Sequence, residues 1–114
     1  MKKIKVLFVI IFILLFASWS KPREVNITDM EIREGITYVK GETKAFTGII
    51  KSYYDNGALK EDTPYKDGKE NGYYYLYNSN GTYRTKGAYS MGKPIGEWEY
   101  YDKDGKLTNK VIAQ

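Results

Sequence analysis

A 24-residue repeat constrains the fold of this chain more than any other feature of its sequence. When the sequence is shifted by 24 residues onto itself, three sets of identical residues coincide. They are Gly48, Gly72 and Gly96, then Tyr53, Tyr77 and Tyr101, then Gly57, Gly81 and Gly105. A large apolar residue also recurs two positions after the first glycine, as Ile50, Tyr74 and Trp98. A fixed period of roughly 20 to 50 residues is the signature of stacked structural units.

The period divides the chain into two complete units, residues 47–70 and 71–94, and a shorter third unit, residues 95–114. Turn residues occur twice in a complete unit, as Asp55-Asn56-Gly57 and Asp67-Gly68 in the first one. Asn-Gly and Asp-Gly supply the positive φ that tight hairpin turns need. The runs between the turns are rich in Tyr, Ile, Thr and Trp and have the length of strands. We therefore predict an all-β fold, an antiparallel meander of stacked β-hairpin repeats.

Alternation along these strands assigns the side chains to two faces of the sheet, because successive side chains point to opposite sides. The column Ile50, Tyr74 and Trp98 is the predicted buried face. The opposite face is predicted to be half exposed and to carry Tyr53, Tyr75, Tyr77 and Tyr101. In the second strand of each unit, the residues predicted to join the buried side are Leu59, Tyr83 and Leu107, followed by Thr63, Gly87 and Val111.

Residues 21–46 lack the strict period but keep the signals of strands and turns. Ile36 and Tyr38 follow Gly35 in a strand–turn–strand pattern. Because terminal repeats are commonly atypical, we predict that residues 21–46 form a degenerate unit that caps the array.

Residues 1–20 have the layout of a secretory signal peptide. Three lysines, Lys2, Lys3 and Lys5, precede an apolar run from Val6 to Ala17, and small residues follow the run. The alternative is an uncleaved membrane anchor over residues 4–19, although a spanning helix needs roughly 20 apolar residues. We therefore predict a hydrophobic signal helix and an exported protein, located in the periplasm, in the cell envelope or outside the cell.

Composition excludes several classes of function. The chain has no cysteine and no histidine, which removes thiolate chemistry, disulfides and the commonest metal ligand. Three of the 18 basic residues and none of the 14 acidic ones lie in residues 1–20, so the remainder has a net charge of only +1. Nucleic-acid binding requires a clustered positive face and is not expected. We predict no cofactor, no metal and no catalytic residues.

Two apparent chemical motifs are explained by the repeat. Residues 87–93 match the opening of a phosphate-binding loop, but Pro94 stands where Ser or Thr would bind magnesium, and the segment is a predicted strand and turn. Glu97 and Glu99 share a strand face, but the second unit has Tyr73 and Tyr75 at those positions. We interpret both glutamates as part of a solvated face.

The third unit, from Gly96-Glu97-Trp98 through Tyr100-Tyr101 to Gly105 and Leu107, resembles the bacterial MORN-repeat variant found in the YwqK-type antitoxin family. The resemblance covers about residues 36–112. Resemblance to MORN proteins implies a single-layer antiparallel sheet that serves as a scaffold for partner proteins or membranes. Resemblance to the YwqK-type family implies neutralisation of a toxin by binding it.

The resulting hypothesis is a non-enzymatic protein-interaction module of the cell envelope. The alternatives are an antitoxin or immunity protein that binds a toxin, and a repeat protein associated with the membrane surface. Tyrosine rings give contact area at a small entropic cost and keep a polar group, which favours them at interfaces. The residues predicted to contact a partner are Tyr53, Tyr75, Tyr77, Tyr101, Lys69 and Lys93.

Overall fold

The computed structural model describes residues 20–114, which fold into two β-sheets. The strands are β1 (Glu24–Asn26), β2 (Met30–Arg33), β3 (Ile36–Val39), β4 (Gly48–Tyr53), β5 (Leu59–Lys66), β6 (Lys69–Glu70), β7 (Gly72–Tyr77), β8 (Tyr83–Ser90), β9 (Lys93–Tyr101) and β10 (Leu107–Ile112). A single 3₁₀ turn, Ile27–Asp29, follows β1. Within residues 20–114 no helix has the length and apolar character needed to cross a membrane. The predicted signal helix lies outside the described residues.

The larger sheet has the strand order β1-β4-β5-β7-β8-β9-β10, with the short β6 paired to β5. All pairs from β4 to β10 are antiparallel, and neighbours in the sheet follow one another along the chain. Only β1 joins this sheet in parallel, beside β4. The prediction of an all-β fold built on an antiparallel sheet is confirmed.

The backbone geometry repeats with the same 24-residue period as the sequence. Two backbone N–H···O=C hydrogen bonds close the loop inside each hairpin. The first runs from Tyr54 to Ala58, from Asn78 to Thr82 and from Asp102 to Lys106, at 2.9, 2.7 and 2.8 Å. The second runs from Gly57 to Tyr54, from Gly81 to Asn78 and from Gly105 to Asp102, at 2.9, 2.9 and 3.0 Å. The 24-residue spacing places Gly57, Gly81 and Gly105 in these loops, with φ of 87, 90 and 83°. A residue with a Cβ is strained at such φ values, so the three loops require glycine.

Side chains also join the loops of neighbouring units. Asn78 donates from Nδ2 to the carbonyl oxygen of Asp102 at 3.2 Å, and Asn80 donates to that of Lys103 at 3.2 Å. The Tyr54 hydroxyl donates to the carbonyl oxygen of Tyr77 at 2.6 Å. The loops therefore form a stacked rim along one end of the strands.

One face of the sheet, here called the packed face, contains most of the buried side chains. Cross-strand pairing sets Ile50 against Thr63, Tyr74 against Gly87, and Trp98 against Val111. Ile50 is 5% exposed and Trp98 8%. The Trp98 ring system lies 5.1 Å from the ring of Tyr89 and 5.7 Å from that of Tyr74, measured between centroids. The predicted column Ile50, Tyr74 and Trp98 thus lies together on the packed face, with Ile50 and Trp98 buried and Tyr74 half-buried.

The N-terminal residues cover the first unit at its outer edge. Phe46 is 3% exposed and lies 6.3 Å from the Tyr65 ring. Strands β2 and β3 pair only with each other, around the turn at Glu34 and Gly35. The Thr37 amide of β3 donates a hydrogen bond to the carbonyl oxygen of Gly68 in the first unit. Phe46 bridges the same two residues, because its amide donates to Thr37 and its carbonyl oxygen accepts from the Gly68 amide. Residues 24–46 thus form a parallel edge strand and a separate hairpin instead of another hairpin of the large sheet.

The prediction that Leu59, Tyr83 and Leu107 lie on the buried face is wrong. They pair with Tyr53, Tyr77 and Tyr101, and in each unit the register shifts by one residue directly beside this pair. A β-bulge adds one residue to a strand and thereby reverses the alternation of side chains beyond it. Tyr83 consequently stacks on Tyr77, on the opposite face, while Thr63, Gly87 and Val111 lie on the packed face as predicted.

Tyrosine ionisation is expected to destabilise the fold at high pH. Burial, with smaller effects of Glu70 and Glu61, raises the pKa of Tyr65 to about 12. Burial also raises the pKa of Tyr74, with Glu61 acting in the same direction. An unfolded tyrosine has a pKa of about 10, so the folded state resists the loss of the proton. The free energy of unfolding should be insensitive to these groups below about pH 10 and should decrease between about pH 10 and pH 12.

Urea unfolding at several pH values across this window, together with the absorbance of tyrosinate, measures the effect. Tyr65→Phe lacks one of the shifted groups and should lose less stability over the same window. An equal loss in the variant and the parent protein would show that Tyr65 does not carry the effect.

Candidate functional site

The face opposite the packed face is here called the tyrosine face, and it carries three rows of side chains across the sheet. The row nearest the hairpin loops consists of Tyr53, Leu59, Tyr77, Tyr83, Tyr101 and Leu107. The middle row consists of Lys51, Asp62, Tyr75, Lys86, Glu99 and Lys110, which are direct cross-strand neighbours. The third row, nearest the turns between units, contains Ile49, Pro64, Tyr73, Ala88, Ile95, Glu97 and Ile112.

Four tyrosines of the first two rows, Tyr75, Tyr77, Tyr83 and Tyr101, form one continuous group, here called the tyrosine cluster. Tyr83 lies at its centre. Its ring centroid is 5.2 Å from that of Tyr77 in a stacked arrangement, 5.7 Å from that of Tyr75 and 6.4 Å from that of Tyr101. Tyr75 and Tyr77 are 6.4 Å apart. Rings at these separations attract one another beyond their burial, so the cluster presents a preformed aromatic surface.

Charged groups orient the rings of the cluster. The ammonium group of Lys86 lies 4.1 Å from the ring centroid of Tyr83 and 5.5 Å from that of Tyr101, within the range of cation–π attraction. The Tyr101 hydroxyl donates to Oε1 of Glu99 at 2.9 Å. Rings held in this way lose little further freedom when a partner binds, which reduces the entropic cost of association.

The environment keeps Tyr77 protonated. Burial is the main reason that the pKa of Tyr77 is raised, and Tyr83 and Asp62 act in the same direction. An ordinary tyrosine, with a pKa of about 10, is already protonated at neutral pH, and the raised pKa keeps the Tyr77 hydroxyl a hydrogen-bond donor to higher pH still. This state is suited to recognition by contact and hydrogen bonding.

The middle row alternates in charge along much of its length. Lys51 pairs with Glu24 at 3.0 Å, and Lys110 lies 3.5 Å from Glu97 and 3.9 Å from Glu99. Opposite charges on neighbouring strands stabilise a sheet modestly, and at exposed sites each pair contributes about 1 kcal/mol or less. The tyrosine face is therefore close to neutral and mixed in sign, a character that suits a protein surface better than a polyanion.

An open depression of about 340 Å³ lies beside the cluster. It is lined by Tyr73, Tyr75, Lys86, Gly87, Ala88, Ile95, Gly96, Glu97 and Glu99. Tyr73 is 72% exposed and Ile95 is 45% exposed, so large apolar groups on this face are available to a partner. Among residues 20–114, no three acidic side chains lie close enough together to hold a metal ion.

The structure brings together three of the six residues predicted to contact a partner, namely Tyr75, Tyr77 and Tyr101. Tyr53 is 50% exposed and belongs to the same row, but its cross-strand partner is Leu59. Lys69 and Lys93 lie at the opposite end of the strands, beside the turns between units. Along β9, eight residues at about 3.3 Å each separate Lys93 from Tyr101, so these lysines are not part of the cluster.

Sequence reasoning missed Tyr83 and Lys86, the two residues that connect the cluster. Simple alternation places Tyr83 on the other face because it takes no account of the bulge. Lys86 could have been found from the repeat, because Asp62, Lys86 and Lys110 are 24 residues apart and therefore lie in one row of the sheet. Comparison of the chain with protein-family models, curated proteins and solved structures finds no match.

Proposed function

We propose that this chain is an exported, non-enzymatic repeat protein that binds a protein partner at the cell envelope through the tyrosine face. The observation that carries the proposal is the tyrosine cluster, with Tyr83 at its centre and the ammonium group of Lys86 over the Tyr83 ring. Buried aromatic and basic anchors dominate the energetics of protein interfaces, and tyrosine is among the residues most enriched there.

The repeat type belongs to the same proposal. We infer that the three units are MORN-like repeats, and the inference is supported by loops, bulges and turns that recur every 24 residues. Units of this kind leave both faces of a single sheet accessible. Most of the buried side chains lie on the packed face, whereas the tyrosine face offers exposed contact groups such as Tyr73, which is 72% exposed.

Tyr83→Ala is expected to weaken partner capture by roughly tenfold or more, because it removes the central ring of the cluster and the group on which Lys86 rests. The measurement is photo-crosslinking and co-purification from envelope fractions with the full, C-terminally tagged chain. Ile32→Ala is the control, since Ile32 is a large apolar residue that is 72% exposed but lies in the separate β2–β3 hairpin, away from the tyrosine face. Equal capture by the two variants would rule out the tyrosine face as the binding surface.

Fractionation of the tagged chain tests the proposed location. The mature protein should be recovered outside the cytosol, and its mass should be lower by the mass of about residues 1–20 if the segment is removed. Recovery of the protein only from the cytosol would contradict export.

A further inference from the structure

The two edges of the large sheet end differently. At one edge, β1 covers β4 by parallel pairing from Glu24 to Asn26. At the other edge, β10 has no neighbour beyond it within residues 20–114, and all six of its residues are exposed. Three of them are apolar, with Leu107 46%, Val111 45% and Ile112 64% exposed. An open strand of this length and character is a template for pairing with another chain.

A groove on the packed face adjoins this edge. It is an open depression of about 330 Å³, lined by Tyr89, Pro94, Trp98, Tyr100, Val111, Ala113 and Gln114. Beside β8, the corresponding place is filled by a side chain of the next strand, β9. There the Trp98 ring lies over Gly87 of β8. The groove is therefore the position that a large side chain of one further strand would fill.

The repeat itself indicates which strand fits beside β10. Across β8 and β9, Thr85 pairs with Tyr100 and Lys86 pairs with Glu99. Across β9 and β10, the same two β9 residues pair with Asn109 and Lys110. The segment Trp98-Glu99-Tyr100 thus lies between two strands that both present a polar residue followed by lysine. The outer edge of β10 presents that pattern once more, at Asn109 and Lys110.

We propose that the outer edge of β10 binds an extended segment of a protein partner as an additional antiparallel strand. The segment carries an acidic residue opposite Lys110 and a large apolar residue on each side of it. Backbone hydrogen bonds supply the affinity, while the groove and Lys110 supply the specificity. This edge adds a second contact to the proposed interaction module, and it does not depend on what the tyrosine face binds.

A second copy of the chain is less complementary to this edge. In the part of the chain that the structure describes, β4, β7 and β9 already have a neighbour on both sides. Besides its own β10, a second copy offers the open sides of the three-residue β1 and of β2, whose carboxylates Glu24 and Glu31 already pair with Lys51 and Arg33. Pairing through β10 remains. When the β10 strands of two copies pair antiparallel with their packed faces on the same side, either Lys110 or Ile112 of one copy lies opposite Lys110 of the other. Neither residue supplies the carboxylate that faces the equivalent lysine within the array.

The probe is a labelled synthetic peptide with the sequence of Lys93–Tyr101, titrated against the full chain by fluorescence anisotropy. We expect saturable binding, and the same peptide with Glu99→Lys should bind roughly fivefold to tenfold more weakly at low salt. In the Lys110→Gln protein, the parent peptide and the Glu99→Lys peptide should bind with about equal affinity, so that the ratio of the two affinities falls to about one. A ratio that stays unchanged in Lys110→Gln would overturn the assigned register.

Two N-methylated forms of the peptide separate strand addition from nonspecific aromatic adhesion. Methyl groups on the amides that face β10 should abolish binding, whereas methyl groups on the alternate amides should leave it intact, because only the first set removes the pairing donors. Equal affinity of both forms, no saturable binding, or dimerisation that blocks the peptide would each refute the proposal. Tyr83→Ala should bind the peptide normally, so failure at the edge and failure at the tyrosine face are distinguishable.

Discussion

Replacing Trp98 with alanine is expected to decrease the free energy of unfolding by about 3 to 5 kcal/mol. Trp98 is 8% exposed, contacts the rings of Tyr74 and Tyr89, and covers Gly87. Among residues 20–114, only Phe46 and Ile50 are apolar and similarly buried. Domains of this size have a total stability of about 5 to 15 kcal/mol, so this one ring supports a large share of the fold. Equilibrium unfolding in urea, followed by circular dichroism, measures the change.

Two matched variants define what the Trp98→Ala result means. Tyr73→Ala removes a comparably large ring that is 72% exposed, and it should cost only about 0.5 kcal/mol. Trp98→Phe keeps an aromatic ring and removes the buried Nε1–H, which has no hydrogen-bond partner within the described residues. Its cost should be clearly smaller than that of alanine, since most of the ring contact remains. Similar losses for Tyr73→Ala and Trp98→Ala would contradict a core concentrated on the packed face.

The strands and faces of the sheet follow from sequence alone wherever local rules apply. Turn glycines such as Gly57 and Gly81 mark the hairpin loops, and alternation places Ile50, Tyr74 and Trp98 together. A turn depends on the φ of one residue, and a strand face depends on the alternation of side chains every two residues. Both can be read directly from the amino-acid sequence. The pairing of β1 with β4 depends instead on packing of the N-terminal residues against the first unit. It has no local signature.

The candidate site is predictable only up to the first bulge. Tyr75 and Tyr77 lie on the predicted face, but Tyr83 lies beyond the register shift and its predicted face is inverted. The bulge recurs in all three units, so it belongs to the repeat, yet periodicity shows only that the units are alike and not which geometry they share. The position of Lys86 over the Tyr83 ring depends on the same bulge, so it cannot be predicted from the sequence period either.

Introducing threonine at Gly87 is the substitution with the next largest expected effect, a loss of at least about 2 kcal/mol in the free energy of unfolding. A Cβ atom at Gly87 would lie only 2.3 Å from the nearest atom of the Trp98 ring, and two further ring atoms lie at 2.4 Å. The backbone of Gly87 is not in the positive-φ region, so a side chain causes no backbone strain there. The predicted loss therefore reports the steric contact alone, and urea unfolding measures it.

The first unit supplies the compensating change for this clash. Its equivalent of Gly87 is Thr63, which is buried. Asp62 pairs with Tyr75, and this register brings Tyr74, at the position of Trp98, to the side of Thr63. Combining Gly87→Thr with Trp98→Tyr reproduces that arrangement one unit further along the array. The double variant should be more stable than the sum of the two single losses implies, by about 1 to 2 kcal/mol, because the smaller ring leaves room for the threonine. Additive losses would show that the two positions are independent, and that equivalent sites in the units do not share the same packing.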